Sequence, residues 1–111
     1  MYKAEIKGME QDIAAMRYER EGMLIETQGM VAQMLTDIRT MRTQLENYER
    51  RVIPTIRKNY DTQLIAYEQN KGDLFVVIDA WETLNMTQMD YLTRLQEYYR
   101  MIVSYERELE K

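Results

Sequence analysis

Ten methionines and nine tyrosines, in a chain with neither cysteine nor histidine, are the residues with chemistry to offer. Thioether sulfur is a soft ligand for copper or silver ions, and two pairs stand at helical spacing, Met30 with Met34 and Met86 with Met89. Yet Met9, Met16, Met23 and Met30 recur every seven residues. That period assigns them to a helix seam, where methionine fills irregular space, and no metal site is expected. Tyrosine rings stack on nucleobases only beside a basic groove. With 15 basic and 19 acidic residues and a net charge of −4, no basic field exists and no nucleic-acid partner is expected. Tyr91, Tyr98 and Tyr105, again seven apart, read as packing residues whose hydroxyls reach the edge of a seam. Carboxylates are plentiful, but acid–base catalysis needs two of them held in different environments inside a concavity. Glu46, Glu49 and Arg50 read instead as solvated helical pairs. No enzyme activity and no cofactor are expected. Asp79 stands apart, set between Val76-Val77-Ile78 and Ala80-Trp81; on its own it reads as an outward-facing helix residue.

The elements that carry these side chains follow from composition and period. A 111-residue chain that is 45% hydrophobic and 31% charged, with one proline and four glycines, has the make-up of long helices and coiled coils. It is one domain or a piece of a larger protein. No run of 18 apolar residues is present, so no membrane-spanning helix is expected. The start, Met-Tyr-Lys-Ala-Glu-Ile, turns amphipathic at once and shows no secretory signal. The absence of cysteine leaves the redox compartment open.

The first arm is predicted over about residues 3–69. Its seam runs through Ile6, Met9, Ile13, Met16, Arg20, Met23, Thr27, Met30, Met34, Ile38, Met41, Leu45, Tyr48 and Val52. Steps of three and four alternate, with a phase drift at Met30–Met34–Ile38, and Arg20 and Thr27 are its weak points. Gly8, Ala15, Gly22 and Gly29 form a second period-seven stripe. It marks either the close approach of a neighbouring helix or a coincidence in a frayed arm. Pro54 interrupts the arm, but Ile56, Tyr60, Leu64 and Tyr67 continue the pattern, so a kink is expected rather than a break. Unbroken, the arm would reach about 100 Å at 1.5 Å per residue.

Asn70, Lys71, Gly72 and Asp73 supply the strong turn chemistry of the chain, and Asp73 can cap the helix that follows. The second arm, residues 74–111, has a strictly alternating seam: Leu74, Val77, Trp81, Leu84, Gln88, Tyr91, Leu95, Tyr98, Ile102, Tyr105 and Leu109. Trp81 is expected to be the largest anchor of the hairpin near its tip. The sequence thus predicts an all-α fold, a long antiparallel coiled-coil helical hairpin with its tip at 70–73. The arms are unequal, so the seam from Met1 to about Gln33 has no partner within the chain. That surplus, and a last helix without a stop signal, point to a fragment of a larger protein. Partners or self-association are expected to cover the surplus.

Around the tip, Tyr67, Asn70, Ile78, Asp79 and Ala80, with Gly72-Asp73-Leu74-Phe75 after the turn, resemble the TolC-like outer membrane factors, closest to their heavy-metal and cation efflux branch. Tyr48 to Pro54 is similar to the segment preceding the tip in that family. Tyr91-Leu92, Tyr98-Tyr99 and Leu109-Glu110 are similar to its returning helix. The likeness covers about residues 48–111; the first 45 resemble it only as coiled coil. Asn70 stands where the family has glycine. Asparagine is the next-best residue for a left-handed backbone, and Gly72 offers an alternative two residues on. The resemblance implies a periplasmic tunnel segment of a trimeric efflux duct that exports metal ions or small molecules. Asn70, Lys71, Gly72, Asp73, Leu74 and Phe75 would dock on a periplasmic adaptor protein, itself joined to an inner-membrane pump. A plain turn would instead fold Leu74 and Phe75 inward. The resemblance also makes Asp79 a candidate gating acid. The alternative class is a cytosolic coiled-coil scaffold or dimerisation module.

Overall fold

The structure, a computed structural model, describes residues 2–111; Met1 and the side chain of Tyr2 lie outside the described residues. Helix α1 spans Tyr2–Asn47, a π-helical turn spans Tyr48–Val52, α2 spans Ile53–Glu68 and α3 spans Leu74–Glu110. There is no strand among the described residues. α3 folds back against α2 and the second half of α1, giving a rod of 100 × 20 × 16 Å. The predicted hairpin and its unequal arms are both present.

Apolar side chains three and four residues apart line one face of each helix, and burying those faces against each other holds the arms together. Ile38 and Leu45 of α1 and Val77, Ala80 and Leu84 of α3 are the buried residues. Among the described residues no polar side chain is buried. Above the reach of α3 the seam is bare: every residue from Lys3 to Met30 is exposed. Met9, Met16 and Met23 hold their heptad phase there with 63–66% of their surface open. Nothing approaches within 4 Å of a side chain that would be added at Gly8, Gly22 or Gly29, so the small-residue stripe meets no helix of its own chain.

Trp81 does not anchor the hairpin; it is 51% exposed. Ala80 takes the seam in its place, three residues after Val77 and four before Leu84. A methyl side chain there lets the two backbones close up next to the turn. The indole, one residue on and about 100° further round the helix, falls on the flank.

Pro54 neither breaks nor simply kinks the arm. Proline has no amide hydrogen, and its ring clashes with the carbonyl four residues back. The chain answers with a wider turn: the Ile53 amide donates to the Tyr48 carbonyl, five residues back. Tyr48–Val52 then leads into α2 with Pro54 in its first turn, where a missing amide hydrogen costs little.

Opposite this wide turn the arms are bracketed by a crossed pair of hydrogen bonds. The Tyr48 hydroxyl donates to the Asp90 carboxylate, and the Tyr91 hydroxyl donates to the Glu49 carboxylate. The two rings lie side by side, 6.2 Å between centroids. The Arg94 guanidinium sits 5.3 Å over Tyr48, donates to Gln44 Oε1 at 2.8 Å and approaches Asp90 at 3.4 Å. Further along, Arg42 Nε donates to the Tyr98 hydroxyl at 3.1 Å. Tyr91 and Tyr98 are half-buried, and their hydroxyls reach across to the first arm at the edge of the seam. The bond from Tyr48, helped by Arg94, holds the Asp90 carboxyl below its ordinary range. The bond to Glu49, then burial, pushes the Tyr91 phenol up to about 12.

Two outcomes follow for the isolated chain. Leu45→Ala lowers unfolding stability by about 2–5 kcal/mol, whereas Met16→Ala changes it by less than ~0.5 kcal/mol because nothing covers that side chain. Denaturant titration followed by circular dichroism checks both. The bracket also predicts two pH limits. An acid with a lowered folded pKa stabilises above its unfolded value and loses that contribution as pH falls through the folded one; a phenol with a raised pKa stabilises below its unfolded value of 10 and loses that contribution as pH rises towards about 12. Tyr48→Phe therefore flattens the acid limb of a plot of Tm against pH, and Tyr91→Phe flattens the alkaline limb.

Candidate docking site at the hairpin tip

The tip is a helix stop followed at once by a helix start. α2 ends at Glu68, and Gln69 follows with φ −89° and ψ 9°, its amide still donating to the Ile65 carbonyl at 3.1 Å. Asn70 then takes φ 60°. That left-handed residue reverses the chain, so the Lys71 amide reaches back to the Ala66 carbonyl at 2.8 Å and the Asn70 amide to the Tyr67 carbonyl at 3.0 Å. These two bonds satisfy carbonyls that the end of a helix leaves open. A left-handed backbone costs a side-chain-bearing residue about 1–2 kcal/mol, least for asparagine and aspartate.

Gly72 does not share that duty, for no glycine has positive φ. It is needed for a different reason. A Cβ there would stand 2.9 Å from the Tyr67 nitrogen and 3.1 Å from the Ala66 carbonyl carbon. The chain crosses the end of α2 so closely that only hydrogen fits. The left-handed role therefore belongs to Asn70, and the shift of that role to Gly72 does not occur.

Asp73 is extended, with φ −101° and ψ 130°, and its Oδ1 accepts from the Phe75 amide at 3.0 Å. Its carbonyl accepts from the Val76 and Val77 amides at 3.1 and 3.2 Å, which launches α3. This is the predicted N-cap. The cap fixes which faces of α3 the next residues occupy. Val77 turns into the seam, while Leu74 and Phe75 stay out, Phe75 with 78% of its surface open. The turn thus presents Asn70, Lys71, Gly72, Asp73, Leu74 and Phe75 together, all exposed.

The exposed apolar surface extends beyond these six residues. Ile78 and Trp81 are also exposed and continue the face that Leu74 begins. Their steps of four and three were visible as a second stripe beside the seam, but the strict alternation through Trp81 drew it into the wrong stripe. Further along α3, Leu92, Tyr99 and Val103 keep to the same flank, and all three are exposed. Asp79 lies outside both stripes. It is exposed, and its backbone carbonyl accepts from the Thr83 hydroxyl at 2.9 Å. Met86 and Met89 are exposed on the outer side of α3, away from the tip. The grooves along the rod are shallow and open; one of about 480 Å³ lies on the bare part of α1 beside Ile13 and Tyr18.

The turn predicts an order of substitutions. Gly72→Ala lowers stability by about 1–3 kcal/mol, because backbone has to move. Asp73→Ala costs about 1 kcal/mol through the lost cap. Asn70→Gly is neutral or raises stability, by up to about 1 kcal/mol. Thermal unfolding of the three variants checks the order.

Protein-family models, characterised proteins and solved structures give no match to this chain, so its function is read from these residues and their geometry.

Proposed function

We propose that this hairpin is a wall segment of the periplasmic tunnel of a TolC-like outer membrane efflux duct, and that its tip docks on a periplasmic adaptor protein. The observation that carries this reading is a hydrogen-bonded reverse turn with two large apolar side chains exposed behind it, Phe75 with 78% of its surface open and Leu74 with 45%. A turn braced by Asn70, Gly72 and Asp73 loses little freedom on binding, so burial of Leu74 and Phe75 appears mainly as affinity. A wall helix also needs more than one adhesive face. α3 has one in the hairpin seam and a second in Leu74, Ile78, Trp81, Leu92, Tyr99 and Val103, a flank without charge along its length.

In this reading three copies of the full protein line the tunnel. The hairpin supplies wall and contact surface, and an inner-membrane pump supplies the cargo, metal ions or small molecules. Asp79 is exposed about one helical turn behind the tip, off both stripes, and in this reading it serves as a gating acid towards a neighbouring hairpin. The rival reading, a cytosolic coiled-coil scaffold, gives work to the bare seam of α1 and leaves Phe75 and Trp81 in water without a role.

The test is binding of the chain to the adaptor of its own pump. Leu74→Glu and Phe75→Ser each weaken that binding tenfold or more while helicity by circular dichroism is unchanged. Binding that both variants leave intact would remove the tip from the interface and the duct reading with it.

A further inference from the structure

The bare part of α1 raises a separate question: what covers a seam of Ile6, Met9, Ile13, Met16, Met23 and Met30? The paired part of the same helix supplies the rule. There the residue just before a buried seam residue faces the partner's flank. Gln44, before Leu45, accepts from Arg94 of α3 at 2.8 Å. Asp37, before Ile38, lines the groove between the helices together with Glu97, Arg100 and Met101 of α3. Eleven residues separate Ile38 from Thr27, a rotation of only about 20° on a straight helix. The same face therefore runs on into the bare part.

Along that face the residues in the equivalent place are Glu5, Asp12, Glu19 and Glu26, before Ile6, Ile13, Arg20 and Thr27. All four are acidic and all four are exposed. The ion pairs among the described residues lie elsewhere, Arg94–Asp90 and Lys111–Glu108. A second copy of the arm is a poor cover. Laid antiparallel in phase, this flank meets itself, so acid faces acid at every heptad. Laid parallel, it meets Glu10, Arg17, Leu24 and Val31, which offer one cation for four carboxylates.

We propose that residues 3–30 of α1 are the seat of a partner helix that carries basic residues along one edge of its apolar face, and that a second copy of this arm is excluded by charge. The partner lays apolar side chains over the methionines and sets Lys or Arg against Glu5, Asp12, Glu19 and Glu26. The methionines suit this task because their unbranched side chains adapt to the cover they receive. The proposal stands on α1 alone and needs neither the duct nor the adaptor.

Two synthetic 28-residue helical peptides test it on the full 111-residue chain. They share one leucine and isoleucine seam and differ only at the flanking positions, lysine in one and glutamate in the other. The lysine peptide binds at least tenfold tighter, and raising salt weakens it more than it weakens the glutamate peptide. In the chain carrying Glu5→Lys, Asp12→Lys, Glu19→Lys and Glu26→Lys, the preference inverts. In the milder chain carrying Glu5→Gln, Asp12→Asn, Glu19→Gln and Glu26→Gln, it disappears. Circular dichroism confirms that both variants keep their helix content. Met16→Glu abolishes binding of both peptides. Equal binding of the two peptides, or a preference that survives in both flank variants, would overturn the proposal. So would sedimentation showing that the unaltered chain self-associates more tightly than it holds the lysine peptide.

Discussion

The amide of Lys71 reaching back to the carbonyl of Ala66 decides where every residue of α3 lies. Two helices can lie side by side in many registers, since a seam that repeats every seven residues matches itself again after each slip of seven. A turn of fixed geometry removes that freedom. Asn70 sets the reversal, Gly72 lets the chain pass over the end of α2, and Asp73 starts the next helix at a fixed rotation. From there Val77, Ala80 and Leu84 fall onto the first arm, and Leu74, Phe75 and Trp81 fall away from it. The surface that distinguishes this tip is set by the rotation of α3 rather than by contacts of its own.

The second constraint acts at mid-length. Pro54 forces a wide turn, and a wide turn on one helix shifts its face relative to an undisturbed neighbour. The tyrosine bracket spans that place. Tyr48 and Glu49 belong to the widened turn, and Asp90 and Tyr91 face them from α3. Apolar packing alone tolerates small rotations. Four directional groups, two donors and two acceptors in crossed arrangement, do not. The hairpin is therefore pinned twice, at its turn and at its proline.

Much of this was legible in the residues. The steps of three and four gave the two arms, and Asn70 to Asp73 gave the tip, because left-handed backbone and helix capping restrict the residue types that serve. The uncovered seam followed from the difference in arm length. Three features escaped. Ala80 replaced Trp81 in the seam because helix separation near a tight turn is set by backbone approach, which no period reports. The widened turn at Tyr48–Val52 was invisible because a proline reads the same whether the helix bends or adds a residue to its turn. The need for glycine at position 72 came from a contact with Tyr67 and Ala66 across the fold. A residue's own type says only that such a contact is permitted. The exposed apolar surface at the tip was partly legible, as the second stripe beside the seam; the rotation of α3 is what assigns Trp81 to that stripe.

The slenderness of the rod has a hydrodynamic consequence. Its radius of gyration is 27.5 Å, about twice the ~13 Å of a compact domain of similar length. A single molecule of this shape tumbles end over end slowly, drags more solvent than its mass implies, and leaves a sizing column ahead of a globular protein of equal weight. Elution volume alone would therefore report this chain as an assembly even when every molecule is alone.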